Sequence, residues 1–526
     1  MKEFAALIYA LDSTNKTNQK LKAMDDFFQV ASDSDKVWFL ALFTGKRPKR
    51  AVHTNLMKDW VMEITGIPDW LFQECYASVG DLGETISLLL PNPTFSIDKT
   101  LSEWMAEILA LQQVSDQQKK AYVTASWRGL AHQQRFIFNK LLGGSFRVGV
   151  SRKGLINAIA NHYQLEASDV AHSIMGDWKV DEVSFDDLIH GKYADTSLSK
   201  PYPFCLAYPL EDVSKTIMPL QEWQVELKWD GIRGQVIKRA NEVFIWSRGE
   251  ELVTDQFPEI VADILNWDGD FVLDGEILPV DGAAVLDFSV LQKRLNRKVL
   301  SKKLLQEVRV SMLLYDILEL NGRDLRKEPL AYRRDTLAHL YGRQQDTALL
   351  LSPLIVVDTI EELAAQREQS RQNNSEGLML KKKDSVYHVG RKKGDWWKWK
   401  IDPMTLDAVL IYAQKGSGRR SNYYTDYTFA VRDGDRLVTI AKAYSGLTDK
   451  EIQEVSRFVT KNAIEKFGPV RTVKPELVFE LAFEGIGWST RHKAGIALRF
   501  PRILRWRRDK TVADIDDLDG IKRLIK

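Results

Sequence analysis

The chain has 526 residues, too many for one hydrophobic core, so about two to four domains are expected. Hydrophobic residues are 44% and charged residues 28%, as in a globular protein; no run reaches the roughly 18 uncharged apolar residues of a membrane helix, which excludes a helical membrane span, and the sparse cysteines lead us to expect a reducing cytoplasm. Two distant cysteines, Cys75 and Cys205, exclude a four-cysteine zinc site and a disulfide framework, while the net charge of +2 excludes no partner.

Residues 1–195 read as an all-α domain. The N-terminal segment carries Glu3 and reads as a short amphipathic helix, not a signal peptide. Apolar periodicity predicts helices around Trp38–Leu42, over ISLLL, over Leu101–Leu111 and over Ala131–Leu142. Gly143-Gly144 closes the last of these, and Ser151 is placed to cap the next. From Gln117 to Leu165 there is no acidic residue, yet Lys119, Lys120, Arg128, Arg135, Lys140, Arg147, Arg152 and Lys153 all fall there. Basic residues crowd Lys381–Lys400 and Arg499–Lys510 as well, a distribution that suits a phosphate-tracking surface.

The three prolines of Ser197–Pro209 suggest a linker. Beyond it, residues 196–402 read as an α+β core with strands WQVELKW, GQVIKR, EVFIWSR, DFVLDGEI, VSMLLYDILEL, GLMLKKK and WWKWKID. Helices are expected at Pro258–Asn266, Arg333–Tyr341 and Ile360–Asn373. Residues 403–526 carry further strands and a helix near Asp449–Phe467, which suits a small β-barrel of the OB type.

The chemistry concentrates on strand faces. Side chains at i and i+2 share a face, so Glu226 and Lys228 point one way and Val225 and Leu227 the other. Asp274 pairs in this way with Glu276, and Lys398 with Lys400. Paired carboxylates suit a divalent cation and paired lysines a polyphosphate. A P-loop is excluded, because neither Gly45-Lys46 nor Gly191-Lys192 is followed by Ser or Thr.

At this point the chain resembles the ATP-dependent DNA ligases of the nucleotidyltransferase superfamily. KWDGIR (Lys228–Arg233) matches their K-x-D-G-x-R motif. SRGE (Ser247–Glu250), LDGEI (Leu273–Ile277), LLYDIL (Leu313–Leu318), SEGLMLK (Ser375–Lys381), WKWK (Trp397–Lys400) and RFPRILRWRRDK (Arg499–Lys510) follow in the family's order. FIFNKLLGGSFRVGVS resembles part of the helical DNA-binding domain of the larger members.

The resemblance implies a covalent lysyl-AMP at Lys228, transfer of AMP to a nick in duplex DNA, and sealing of the 3'-OH/5'-phosphate junction with ATP and Mg²⁺ (or Mn²⁺). Glu226 would meet the adenine edge, and Tyr315, where Phe is usual, would stack on the base. Arg233 and Arg248 would bind the ribose and phosphates and later the nick phosphate. Glu276 would hold ribose or metal, and Glu376 would be a metal carboxylate. Arg391 and Lys392 are both candidates for a further nucleotide contact, and Lys398 and Lys400 would contact the α-phosphate. Arg502, Arg505 and Lys510 would orient the departing pyrophosphate. Arg128, Arg135, Arg147, Arg152 and Lys153 are the candidate DNA contacts of a monomeric enzyme. RNA ligases and capping enzymes share K-x-D-G, but the long helical region and the RFPR ending favour a DNA ligase. NAD-dependent ligases typically carry a cysteine zinc module, which two cysteines cannot build. A non-catalytic nucleic-acid-binding scaffold of the same fold is disfavoured by the complete set of lysines and carboxylates.

Overall fold

The computed structural model describes every residue except 15, 47, 144–149, 177, 193–197, 283, 296, 298–299, 345–346, 417–419, 421 and 526. Arg147 therefore lies outside the described residues, as does part of the Gly143–Val150 segment. The chain divides into two compact units, one of Met1–Thr14, Lys46–Gly149 and Asp402–Lys526, the other of Asn15–Gly45 and Val150–Ile401. No helix among the described residues is long and apolar enough to cross a membrane.

In the first unit, two of the N-terminal helices begin at capping boxes. Thr100 with Glu103 and Ser115 with Gln118 form capping boxes on Leu101–Ala110 and Asp116–Gly129. These helices and His132–Gly143 bury Trp104, Trp127 and Phe138. The indole of Trp127 donates to Asn139 Oδ1 at 2.7 Å, so its polar atom is satisfied inside the core.

The C-terminal part of this unit is a strand-rich half-barrel. Its long central strand, Met404–Lys415, pairs on one side with Tyr424–Asp433. On its other side it pairs first with Val478–Phe483 and then with Val470–Val473. Phe429, Phe479 and Ile496 fill the interior, and helix Asp449–Asn462 lays its apolar face, with Val455 and Val459, against it. The expected helix stops earlier than Phe467: Ala463–Phe467 is a strand, folded against Val470–Val473 around Gly468. All of its residues are exposed, so no burial pattern in the sequence marked its period.

The second unit contains two larger sheets, antiparallel except for one short parallel strand at an edge of each. The strands that matter are β1 (Trp223–Trp229), β2 (Ile232–Arg239), β3 (Glu242–Ser247), β4 (Phe271–Asp281), β5 (Val310–Leu320), β6 (Ser375–Lys382) and β7 (Trp396–Lys400). One sheet runs β5-β4-β2-β3, with the short strand Leu350–Leu351 at its β5 edge. The other runs Leu354–Ile355, β1, β6, β7, Tyr208–Pro209. Each sheet has its own core: Val236, Ile245, Leu273 and Leu314 in the first, Val225, Leu378, Leu380 and Trp397 in the second. A third cluster contains Tyr202, Cys205, Ile237, Trp246, Val272, Leu318, Tyr387 and Trp396. Helices Thr17–Val30, Asp33–Thr44 and Arg152–Tyr163 also belong to this unit, joined through Phe28, Phe39 and Tyr163.

The proline-rich segment is not a linker over its described length. Tyr202, Phe204 and Cys205 are buried, and Gln235 holds the Tyr202 backbone through both of its amide atoms. Cys205–Leu206 pairs with Gly390–Arg391, and Tyr208–Pro209 pairs with β7 at the sheet edge, a position where a residue without an N–H is tolerated. Pro209, which looked like a breaker, is an edge residue.

Candidate active site

A cleft of about 730 Å³ opens in the second unit, and every residue lining it comes from Leu206–Lys400. The period of β1 places Glu226 and Lys228 on the cleft while Val225 enters the core of its sheet. The same alternation in β7 gives Lys398 and Lys400 to the cleft and buries Trp397.

β6 breaks the alternation. Leu378 and Leu380 are core residues, and Met379 and Lys381 face the cleft, so an unbroken strand would turn Glu376 toward the core. The pairing of β6 with β1 slips between Ser375 and Leu378, and Gly377 sits there at φ +132. A Cβ at Gly377 would lie 2.2 Å from the Trp399 carbonyl oxygen. This bulge, which only glycine permits, brings Glu376 to the cleft.

Glu376 meets two lysines there. Its Oε2 is 2.5 Å from Lys228 Nζ and 3.0 Å from Lys400 Nζ. Burial works to raise its carboxyl, but Lys228 and then Lys400 hold it below the ordinary glutamate range. Lys398 is shifted down by burial first, then by Arg391, Lys228, Lys400 and Arg248. Four cations around a half-buried lysine make a site that favours an anion. Glu276 is pushed up to about 7, chiefly by burial, against the opposing pull of Lys228 and Arg233.

The base-side wall is built from ion pairs. Lys381 meets Glu226 at 2.8 Å, and the Glu226 Oε1 that it contacts also accepts from Gln224 Nε2 at 2.8 Å. Lys381 Nζ lies 4.3 Å from the centroid of Tyr315 and 4.7 Å from that of Trp396. The Tyr315 hydroxyl donates to the Gly275 carbonyl at 3.4 Å. Lys381 appeared in the sequence only as the end of a motif and of a basic stretch; its signal was the spacing of two from Met379 on the cleft face.

Other expectations are corrected. Asp274 is not a cation-binding partner of Glu276. It is fully buried, bridged by Arg233 and bonded by the Tyr387 hydroxyl at 2.5 Å. Arg233 lines the cleft from that anchorage, with its other branch on the Cys205 carbonyl at 2.6 Å. Arg391 lines the cleft, whereas Lys392 is absent from the lining and pairs with Asp395 at 3.5 Å. Arg248 is exposed at the cleft.

Much of the basic helical run is neutralised at home. Lys119 pairs with Asp116, Lys120 with Glu63, Lys140 with Asp81 and Arg152 with Glu250. Arg135 is 2% exposed, and its guanidinium donates to the carbonyls of Ser87, Leu90, Pro91 and Trp127, so it cannot be a DNA contact. Arg128 and Lys153 remain exposed. Arg502, Arg505 and Lys510 belong to the half-barrel, paired with Glu484, Glu480 and Asp407 respectively.

Mg²⁺ takes one or two carboxylates and completes its shell with water and phosphate oxygens. Glu276 and Glu376, in one cleft with a cationic wall, match that donor set. No group of three or more His, Cys, Asp or Glu suited to a metal occurs among the described residues.

A lysine and a carboxylate facing one another in a cationic cleft, on two largely antiparallel sheets, suit a nucleotidyltransferase, the class to which the family matches assign the chain. Family models match along the chain: "DNA ligase N terminus" at residues 1–160, "ATP dependent DNA ligase domain" at 204–400 and "ATP dependent DNA ligase C terminal region" at 420–510. A probable DNA ligase of Koribacter versatilis is 31% identical over 100% of this chain and 96% of its own length. DNA ligase 1 of Korarchaeum cryptofilum is 26% identical over 100% and 98%, and a DNA ligase of Haloferax volcanii is 36% identical over 58% and 54%. A solved structure titled Pmar-Lig_PreS3 shares the fold at a TM-score of 0.62, with 17% identity over 96% of this chain and 99% of that one. The chain belongs to the ATP-dependent DNA ligase family.

Proposed function

We propose that this ligase seals nicks in duplex DNA through Lys228, working as a monomer in the cytoplasm of its cell, where the DNA lies. The observation that carries the assignment is the placement of Lys228 Nζ beside Glu376, with Lys398 and Lys400 in the same cleft. A lysine attacks as the free amine. The Lys228 nitrogen bonds to the α-phosphorus of ATP, the bond from that phosphorus to the bridging oxygen breaks, and pyrophosphate leaves. A 5'-phosphate oxygen at the nick then takes AMP from the lysine, and the 3'-hydroxyl displaces AMP as the strand closes.

The chain's own groups hold these partners. Tyr315 offers its ring to adenine, and Glu226, fixed by Lys381 and Gln224, offers a carboxylate to the base edge. Arg233, Arg248, Arg391, Lys398 and Lys400 compensate phosphate charge, which is most of what such a transfer requires. Glu276 and Glu376 would hold Mg²⁺, which supplies charge neutralisation to the phosphates when bound. Arg502, Arg505 and Lys510, from residues 403–526, orient the pyrophosphate; Arg128 and Lys153, from the helical residues 1–195, hold the DNA backbone while residues 196–402 carry the chemistry. Contacts to phosphate position without reading sequence, so little base specificity is expected.

The test uses α-labelled ATP with wild type and Lys228→Ala, followed by addition of a nicked duplex. Label on wild type alone, discharged as the strand is sealed, is the expected result. Label that nicked DNA cannot discharge would reassign the substrate, and label on both proteins would reassign the nucleophile.

A further inference from the structure

Arg152 is the first residue of helix Arg152–Tyr163, whose N-cap is Ser151. A cation at this end of a helix opposes the helix dipole, and Lys153 adds a second, so the pair is unfavourable without a neighbouring anion. Glu250 supplies it: the two side chains form an ion pair, 29% and 28% exposed. Glu250 lies in the turn that follows β3 and sits at φ +61, a region a glutamate rarely occupies unless its surroundings hold it there.

The turn is braced on the core side. Ser247 N donates to Glu251 O and Glu250 N to Ser247 O, each at 2.9 Å, and Arg248 N donates to Arg233 O at 2.8 Å. Arg248 and Glu251 line the cleft on either side of Glu250. Arg152 therefore grips, from outside, the one residue of the turn that the cleft does not use.

We propose that Arg152 is a positioning residue for adenylylation: by holding Glu250 it fixes the turn that presents Arg248 to the nucleotide phosphates. It is then not a DNA phosphate contact, and the helical segment takes part in the first chemical step before DNA arrives. The inference rests on the reading of this cleft as the ATP site.

The experiment compares Arg152→Glu, Glu250→Arg and the double exchange, using the full chain with α-labelled ATP and Mg²⁺ and no DNA. Each single variant should lower the adenylylation rate at subsaturating ATP about tenfold, through a raised KM, and the exchange should recover most of that loss. Melting curves identify a variant that fails to fold, in which case Arg152→Gln replaces Arg152→Glu. Normal DNA-free adenylylation by Arg152→Glu, with a defect only in binding or sealing the nick, overturns the proposal and returns Arg152 to the DNA surface. Single losses without recovery in the exchange also overturn it. Failure of the wild type to label at all would instead overturn the assignment of the cleft.

Discussion

Lys381 and Glu226 form a buried ion pair, 2.8 Å long with both side chains 2% exposed, beneath the ring of Tyr315. Removing one partner of such a pair leaves a charge in the interior, which costs far more than the pair contributes. Lys381→Met should lower stability by about 3 kcal/mol near neutral pH. In the wild type, burial opposes the Glu226 carboxylate, yet Lys381 and Gln224 hold its pKa below the ordinary value. That contribution is present above the unfolded pKa and lost as pH falls. Without Lys381 the carboxyl shifts up, and its burden is relieved on protonation. The gap between wild type and Lys381→Met should therefore widen from pH 5 to pH 8 in urea unfolding; a constant gap would show that Glu226 is not the group left uncompensated.

Glu276 gives a second pH signature with the same slope but in the wild type itself. Its pKa of about 7, raised mainly by burial, means that the folded state resists ionisation. The stabilising contribution is complete below the unfolded value and disappears as pH rises to about 7. Glu276→Gln removes this dependence. Relative to wild type, the variant should gain on the order of 2 kcal/mol between pH 5 and pH 8, without nucleotide or metal. Thermal melts at the two pH values measure it, and parallel shifts of both proteins would refute the assignment.

The bulge at Gly377 predicts an unusually costly small substitution. Gly377→Ala places a methyl against the Trp399 carbonyl and demands φ +132 of an alanine. We expect a loss of about 3 kcal/mol or more, together with loss of adenylylation as Glu376 leaves the cleft. A folded, active Gly377→Ala protein would mean that the bulge does not set the position of Glu376.

Basic residues of the helical region should separate into two behaviours. Arg135→Met removes donors from four carbonyls and should destabilise the protein by about 2–3 kcal/mol, leaving the salt dependence of DNA binding unchanged. Arg128→Ala and Lys153→Ala should each reduce the slope of log K against log salt by about one while leaving the melting temperature in place. Binding titrations from low to moderate salt decide this, and a flat wild-type response would remove the phosphate-surface reading altogether.

The sequence by itself determined what depends on local order: the cap at Ser151, the helical and strand periods, and the Lys228, Lys398 and Lys400 faces of their strands. Side-chain direction in a regular strand follows from its period of two, so these residues needed no partner to be placed. The motif order also fixed the family. What only the tertiary structure decided depends on groups distant in sequence. Arg135 is an arginine of the same kind as Arg128 in the sequence, but burial assigns it to carbonyls, and Arg233 of the KWDGIR motif is anchored by Asp274. Glu376 reaches the cleft through a register slip against β1, and Pro209 becomes a sheet edge because β7 lies beside it, as Cys205–Leu206 does beside Gly390–Arg391. Charge and periodicity are properties of a segment, whereas desolvation and register belong to what packs against it, and that is settled only when the chain folds.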